Sequence, residues 1–181
     1  SNTSIGYASM LANTTGASNT AVGRQALTSN TTAANNTAVG MNALILNTTG
    51  ANNTAVGQNA MYTNTTGTLN TAVGSGSGYS LTTGVDNAIF GFNSGDHITT
   101  GSNNTILGKG AGDNITTGSS NIIIGEHIDP PSATADNQLN IGGWIQGAGG
   151  LIGIGGAPST SGKCNISATT DKHGIEVANH S

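Results

Sequence analysis

Apolar and polar positions recur along this chain with a fixed 17-residue period. Glycine marks the period at Gly6, Gly23, Gly40, Gly57, Gly74, Gly91, Gly108, Gly125 and Gly142. An apolar residue precedes each one: Ile5, Val22, Val39, Val56, Val73, Phe90, Leu107, Ile124 and Ile141. An amide stands four places before each one: Asn2, Asn19, Asn36, Asn53, Asn70, Asn87, Asn104, Asn121 and Gln138. Such a unit is too short for two helices and a turn. Each unit therefore predicts one coil of an all-β parallel β-solenoid or β-roll. Within the unit, Asn-Thr-Ala-Val-Gly predicts a short strand that glycine closes with a bend. Asn-Thr-Thr-Gly predicts a second strand or a corner ending in a turn, because Asn and Gly tolerate left-handed conformations.

This pattern divides the chain in two. Residues 1–142 form the rod, with a loop at 127–137 where Pro130 and Pro131 would interrupt a ladder. Residues 143–181 leave the period and form a Gly-rich connector followed by a cap or assembly segment. Gly147–Gly156 reads as flexible or tightly turned; Asn165–Thr170 and Gly174–Ala178 read as strands of a small irregular β element.

The two residues before each glycine are both apolar in Ala21-Val22, Ile89-Phe90, Ile106-Leu107 and Ile123-Ile124. Neighbouring strand residues point to opposite faces, so one face lines the roll and the other calls for a partner, most simply an identical chain. The alternative is a twisted strand end that turns both residues into one core. The columns also change midway. Met10, Leu27, Leu44 and Met61 give way to Gly78, Gly95 and Gly112, while Asn13, Asn30, Asn47 and Asn64 give way to Leu81, Ile98 and Ile115. Ile89, Ile106 and Ile123 replace alanine in the strand. Bulk lost in one column returns in others, as a core of fixed volume requires.

Composition narrows the functional classes. Only 7% of the chain is charged, and Arg24 is the one charged side chain before Asp86. A net charge of −4 with no basic stripe speaks against nucleic acid. No apolar run reaches the length of a membrane helix and no signal peptide is visible. The chain starts in mid-pattern at Asn2, as a mature form or a fragment would. A single cysteine, Cys164, excludes an internal disulfide framework and is expected to be buried.

Asn-Thr-Ala-Val-Gly followed by Ala-Leu and Asn-Thr-Thr-Gly resembles the repeats of bacteriophage tail fibres. Ser119–Gly125, Asn137–Gly142 and Leu151–Gly155 resemble the end of such a fibre region. The pattern is also similar to the β-roll head of trimeric autotransporter adhesins. Both resemblances imply homotrimers at an extracellular or virion surface, and a cell-surface glycan as a possible receptor.

Candidate chemistry is sparse. Asp96 and Asp113 share a column and would stack about 4.8 Å apart. They read as two solvated acids at a corner, or as a metal site in which Ca²⁺ bridges the pair. Lys109 and Glu126 could pair on the surface. His97, His127, His173 and His180 show neither metal spacing nor a neighbouring nucleophile. Trp144 reads as packing in the cap, with sugar stacking as the alternative. Candidate N-glycosylation sequons include Asn13, Asn30, Asn35, Asn47, Asn52, Asn64, Asn103 and Asn114; alternatively these amides form hydrogen-bonded corner ladders. No catalytic constellation and no cofactor motif emerges, so an enzyme is not expected. The expected function is a structural fibre or adhesin. The alternative is a self-assembling, glycosylated extracellular filament. A third reading is ice binding through the column Thr15, Thr32, Thr49, Thr66, Thr83, Thr100 and Thr117.

Overall fold

The residues just before each glycine of the period form a three-residue strand in the computed structural model, which describes residues 1–148, 151–154 and 164–166. These strands are β1 (Thr3–Ile5), β2 (Thr20–Val22), β3 (Thr37–Val39), β4 (Thr54–Val56), β5 (Thr71–Val73), β6 (Ala88–Phe90), β7 (Thr105–Leu107), β8 (Ile122–Ile124) and β9 (Leu139–Ile141). Each pairs in parallel with the next, one full period on and without a slip. The molecule is thus a parallel β-solenoid. Coil 1 spans positions 2–18, coil 2 spans 19–35, and the series runs on in equal steps to coil 8 at 121–137. No helix occurs among the described residues.

Only one strand forms per coil. The Asn-Thr-Thr-Gly segment is a corner, and its glycine is not the left-handed residue. That role falls two places later, to Ser18, Asn35, Asn52, Leu69, Asp86, Asn103, Ser120 and Asn137, with φ between 56° and 62°. Asn and Asp accept this conformation more readily than most side chains. The corner glycine is needed for space instead: a Cβ on Gly67 would lie 2.5 Å from the Gly84 carbonyl oxygen.

The amide column forms the inner seam of the rod. Asn19, Asn36, Asn53, Asn70, Asn87, Asn104, Asn121 and Gln138 are all buried. Each side-chain oxygen accepts the backbone N–H of the next amide, as in Asn36 N to Asn19 Oδ1 at 2.9 Å and Asn53 N to Asn36 Oδ1 at 2.9 Å. Each Nδ2 reaches across its own coil to a corner carbonyl, as in Asn36 to Gly50 at 2.9 Å and Asn53 to Gly67 at 2.8 Å. A second amide ladder runs Asn30 to Asn13, Asn47 to Asn30 and Asn64 to Asn47, at 2.8 to 3.1 Å. It ends where Leu81 takes over the column, and Asn64 Oδ1 is left without a partner.

The three columns that change midway line one interior. Leu27, Leu44 and Met61 are fully buried despite φ values of 52°, 51° and 48°, a conformation that costs a non-glycine residue roughly 1–2 kcal/mol. Gly95 adopts φ 53° at the equivalent place. Its missing side chain is replaced from two directions, since an added Cβ would meet Ile98 Cδ1 at 2.9 Å and Ile106 Cδ1 at 3.1 Å. The later coils thus remove the strain at this position and refill the volume from the strand and the corner.

The C-terminal segment departs from expectation. Two strands that the sequence reading does not include form here: β10 (Ile145–Ala148) pairs antiparallel with β9, and β11 (Leu151–Ile154) pairs antiparallel with β10. The open edge of β9 offers unpaired peptide groups, and this takes precedence over the flexibility of the glycines. β12 (Cys164–Ile166) adds in parallel to β11. It covers only the start of the strand expected at Asn165–Thr170. The rest of that strand, the one at Gly174–Ala178, and the burial of Cys164 lie outside the described residues.

The period glycines from Gly6 to Gly125 hold φ between 131° and 140°, a region L side chains rarely adopt. At Gly57 an added Cβ would also fall on the Gly74 carbonyl. Gly57→Val is therefore expected to destabilise the rod by about 3 kcal/mol or more, measured by denaturant or thermal unfolding. Unchanged stability would show that the column is merely small.

Candidate functional site

Side chains fill the interior of the coils, so the rod presents its chemistry in columns on the outside. In each strand from β2 to β9 the middle residue points inward and its neighbours point outward. Ile106 is fully buried, whereas Leu107 is 50% exposed. The twisted arrangement with both residues in one core is absent among the described residues. In coils 2–5 the outward pair is Thr and Val, all half-buried. In coils 6–8 it becomes larger and more exposed, at Phe90, Leu107 and Ile122, with Phe92 beside them. Trp144 does not pack in a cap. It is 75% exposed, because it sits in the turn between β9 and β10.

The acids occupy one corner of coils 6–8. Asp96 is half-buried rather than freely solvated, and its Oδ1 has no hydrogen-bond partner of good geometry. His97 Nδ1 lies 3.1 Å from that oxygen and 2.6 Å from the Asp113 carbonyl oxygen. Asp129 joins Asp113 in the column and accepts the Asn114 N–H at 3.3 Å. Periodicity missed Asp129 because the 127–137 loop puts it one place out of register. Burial raises the pKa of Asp96; the His97 charge opposes this shift and the Asp113 charge adds to it. Burial also raises the pKa of Asp129, with Asp113 adding to the shift. No group of three or more His, Cys, Asp or Glu side chains suited to a metal ion occurs among the described residues. Lys109 and Glu126 form an exposed pair at 3.1 Å.

The sequons fall into different environments. Asn30, Asn47 and Asn64 are buried, and their Nδ2 groups donate within the second ladder; Asn13 is half-buried at its end. A glycan there would replace one of the two Nδ2 hydrogens and leave one acceptor in the closed interior unpaired. Asn35, Asn52 and Asn103 sit in the exposed left-handed column, and Asn114 is exposed beside the acids. The threonine column from Thr15 to Thr117 is exposed along its length. The Tyr62 and Tyr79 rings stack at 5.0 Å with an interplanar angle of 10°. Their separation by one period was the available signal for this pair. A shallow concavity at the N-terminal edge is lined by Ser1, Asn2, Thr3, Ser18, Asn19 and Thr20, none of them charged at the side chain.

No protein-family model, curated protein or solved structure matches this chain.

The acid column makes stability depend on pH. A carboxyl whose pKa is higher in the fold than in the unfolded chain binds its proton more tightly when folded. The stability gained is greatest below the ordinary carboxylate range and is lost as pH rises through the raised value. Coils 6–8 should therefore unfold at higher temperature near about pH 4 than near about pH 7. Asp96→Asn should reduce this difference. Melting curves at the two pH values check it; equal slopes for wild type and variant would contradict it.

Proposed function

We propose that this chain is the shaft of a structural fibre or adhesin, of the kind found in phage tail fibres and related surface adhesins. It acts mechanically, as a stiff spacer that presents a binding tip to a cell-surface glycan, at an extracellular or virion surface. The observation that carries this reading is the unbroken stack. Nine parallel strands keep one register, with a buried amide in every rung from Asn19 to Gln138. Backbone hydrogen bonds then run along the axis for about 38 Å, at about 4.8 Å per step. A rod stiffened in this way suits a role as a spacer; no catalytic step is part of the proposal.

Copies of the chain associate through the outward strand face of coils 6–8, most simply as a homotrimer. Phe90, Leu107 and Ile122 place large apolar side chains there in adjoining rungs, and contiguous exposed apolar surface of this kind favours association. The alternative is a filament built by end-to-end stacking. It is less well supported, because the outer edge of β9 that such a contact would use is taken by β10.

Sedimentation velocity at micromolar concentration tests the association. The wild type should run as a trimer. Leu107→Asp should dissociate it and keep the fold, because that side chain faces outward. Ile106→Asp should unfold the coil, since it buries an unpaired charge at a cost of several kcal/mol. A monomeric wild type would leave a self-contained solenoid.

A further inference from the structure

We propose that the outward strand face of coils 2–5 binds ice. Thr20, Thr37, Thr54 and Thr71 form one column, and Val22, Val39, Val56 and Val73 form the next. The alanines between them are fully buried, so threonine and valine stand together on the outer surface. Four properties of this face point to an ordered water lattice as its partner.

Its relief is low, since no side chain in the two columns is larger than valine. It is rigid, because both residue types are β-branched and hold χ1 tightly, on rungs fixed by the ladder. It repeats at about 4.8 Å along the rod and about 6.6 Å along each strand, a regular two-dimensional array against which an ordered water layer can form. It is also uncharged, as ice is; Arg24, the one charged side chain before Asp86, lies at its margin. Among the described residues the hydroxyls of these four threonines find no partner within the rod. By contrast Thr31, Thr48 and Thr65 donate theirs to the next coil at 3.1 to 3.2 Å. The array therefore offers free hydroxyls and methyl groups together, and both can be fitted into a water lattice.

A protein partner fits less well here. Interface anchors are large side chains seated in pockets, and coils 2–5 carry none on this face; the large residues in line with it are Ile5 before and Phe90 after. The exposed column from Thr15 to Thr117 is a weaker candidate for the same role. It lies on bends rather than strands.

The test uses the purified full chain in ice-recrystallisation inhibition, thermal hysteresis and uptake into a growing ice hemisphere. Wild type should inhibit recrystallisation at micromolar concentration and enter the ice. Thr54→Lys should lose both activities while keeping its melting temperature. Thr49→Lys, on the bend column, should keep them. The double variant Thr37→Ser, Thr54→Ser retains the hydroxyls and removes two methyl groups, and should lose most of the activity even if Thr54→Lys fails to fold. Exclusion of wild type from ice, or loss of activity in Thr49→Lys but not in Thr54→Lys, overturns the proposal. Sedimentation of Leu107→Asp reports self-association separately, so either inference can fail alone.

Discussion

A buried primary amide in successive coils is the constraint on which the rest of the rod depends. Asn53 shows why. Its N–H donates to Asn36, its Nδ2 donates to Gly67 across the coil, and its Oδ1 accepts the N–H of Asn70. One residue, through its N–H and its side chain, thus ties the coil before, its own coil and the coil after. No other neutral side chain of similar size both donates and accepts in this geometry. Because these groups are shielded from water, a shift of one residue would strand them all, which fixes both the length of the coil and the register.

With the register fixed, the interior behaves as a container of constant volume. Early coils fill it from the turn with Leu27, Leu44 and Met61 and tolerate left-handed backbone there. Later coils place glycine at the turn and fill the space with Ile89, Ile98, Ile106 and Ile115. The same switch changes the outside. Small threonine–valine rungs give way to larger apolar ones at Phe90 and Leu107. Core and surface change together at the Gly74–Gly78 boundary, so the two halves of one continuous rod present different outer faces.

Periodicity made the solenoid legible. Columns of glycine, amide and apolar residues report stacking directly, because each rung repeats the environment of the last. The direction each side chain faces was harder to read. Adjacent apolar residues such as Ile106 and Leu107 implied two faces but not which was outer, since that depends on strand twist and on the bends on either side. The left-handed column at Asn35 and Asn52 was hidden because the corner glycine seemed the natural candidate. Asp129 was missed because a loop moved it out of phase. The strands at Ile145–Ala148 and Leu151–Ile154 were missed because a free strand edge, visible only once β9 is placed, recruits residues that are extended by no local preference. Trp144 followed from the same error, since a turn between strands exposes what a cap would cover.

Replacing Asn53 by alanine tests the central claim most directly. It leaves the Asn70 N–H without its partner in a dry interior and removes one of the two amide donors to the Gly67 carbonyl. Unfolding in denaturant should show a loss of about 2–4 kcal/mol, with faster amide exchange centred on coils 3–5. The exposed control Thr49→Ala should change stability by no more than about 0.5 kcal/mol. If Asn53→Ala matched that control, the amide column would be incidental and the register would have to be set by backbone pairing alone.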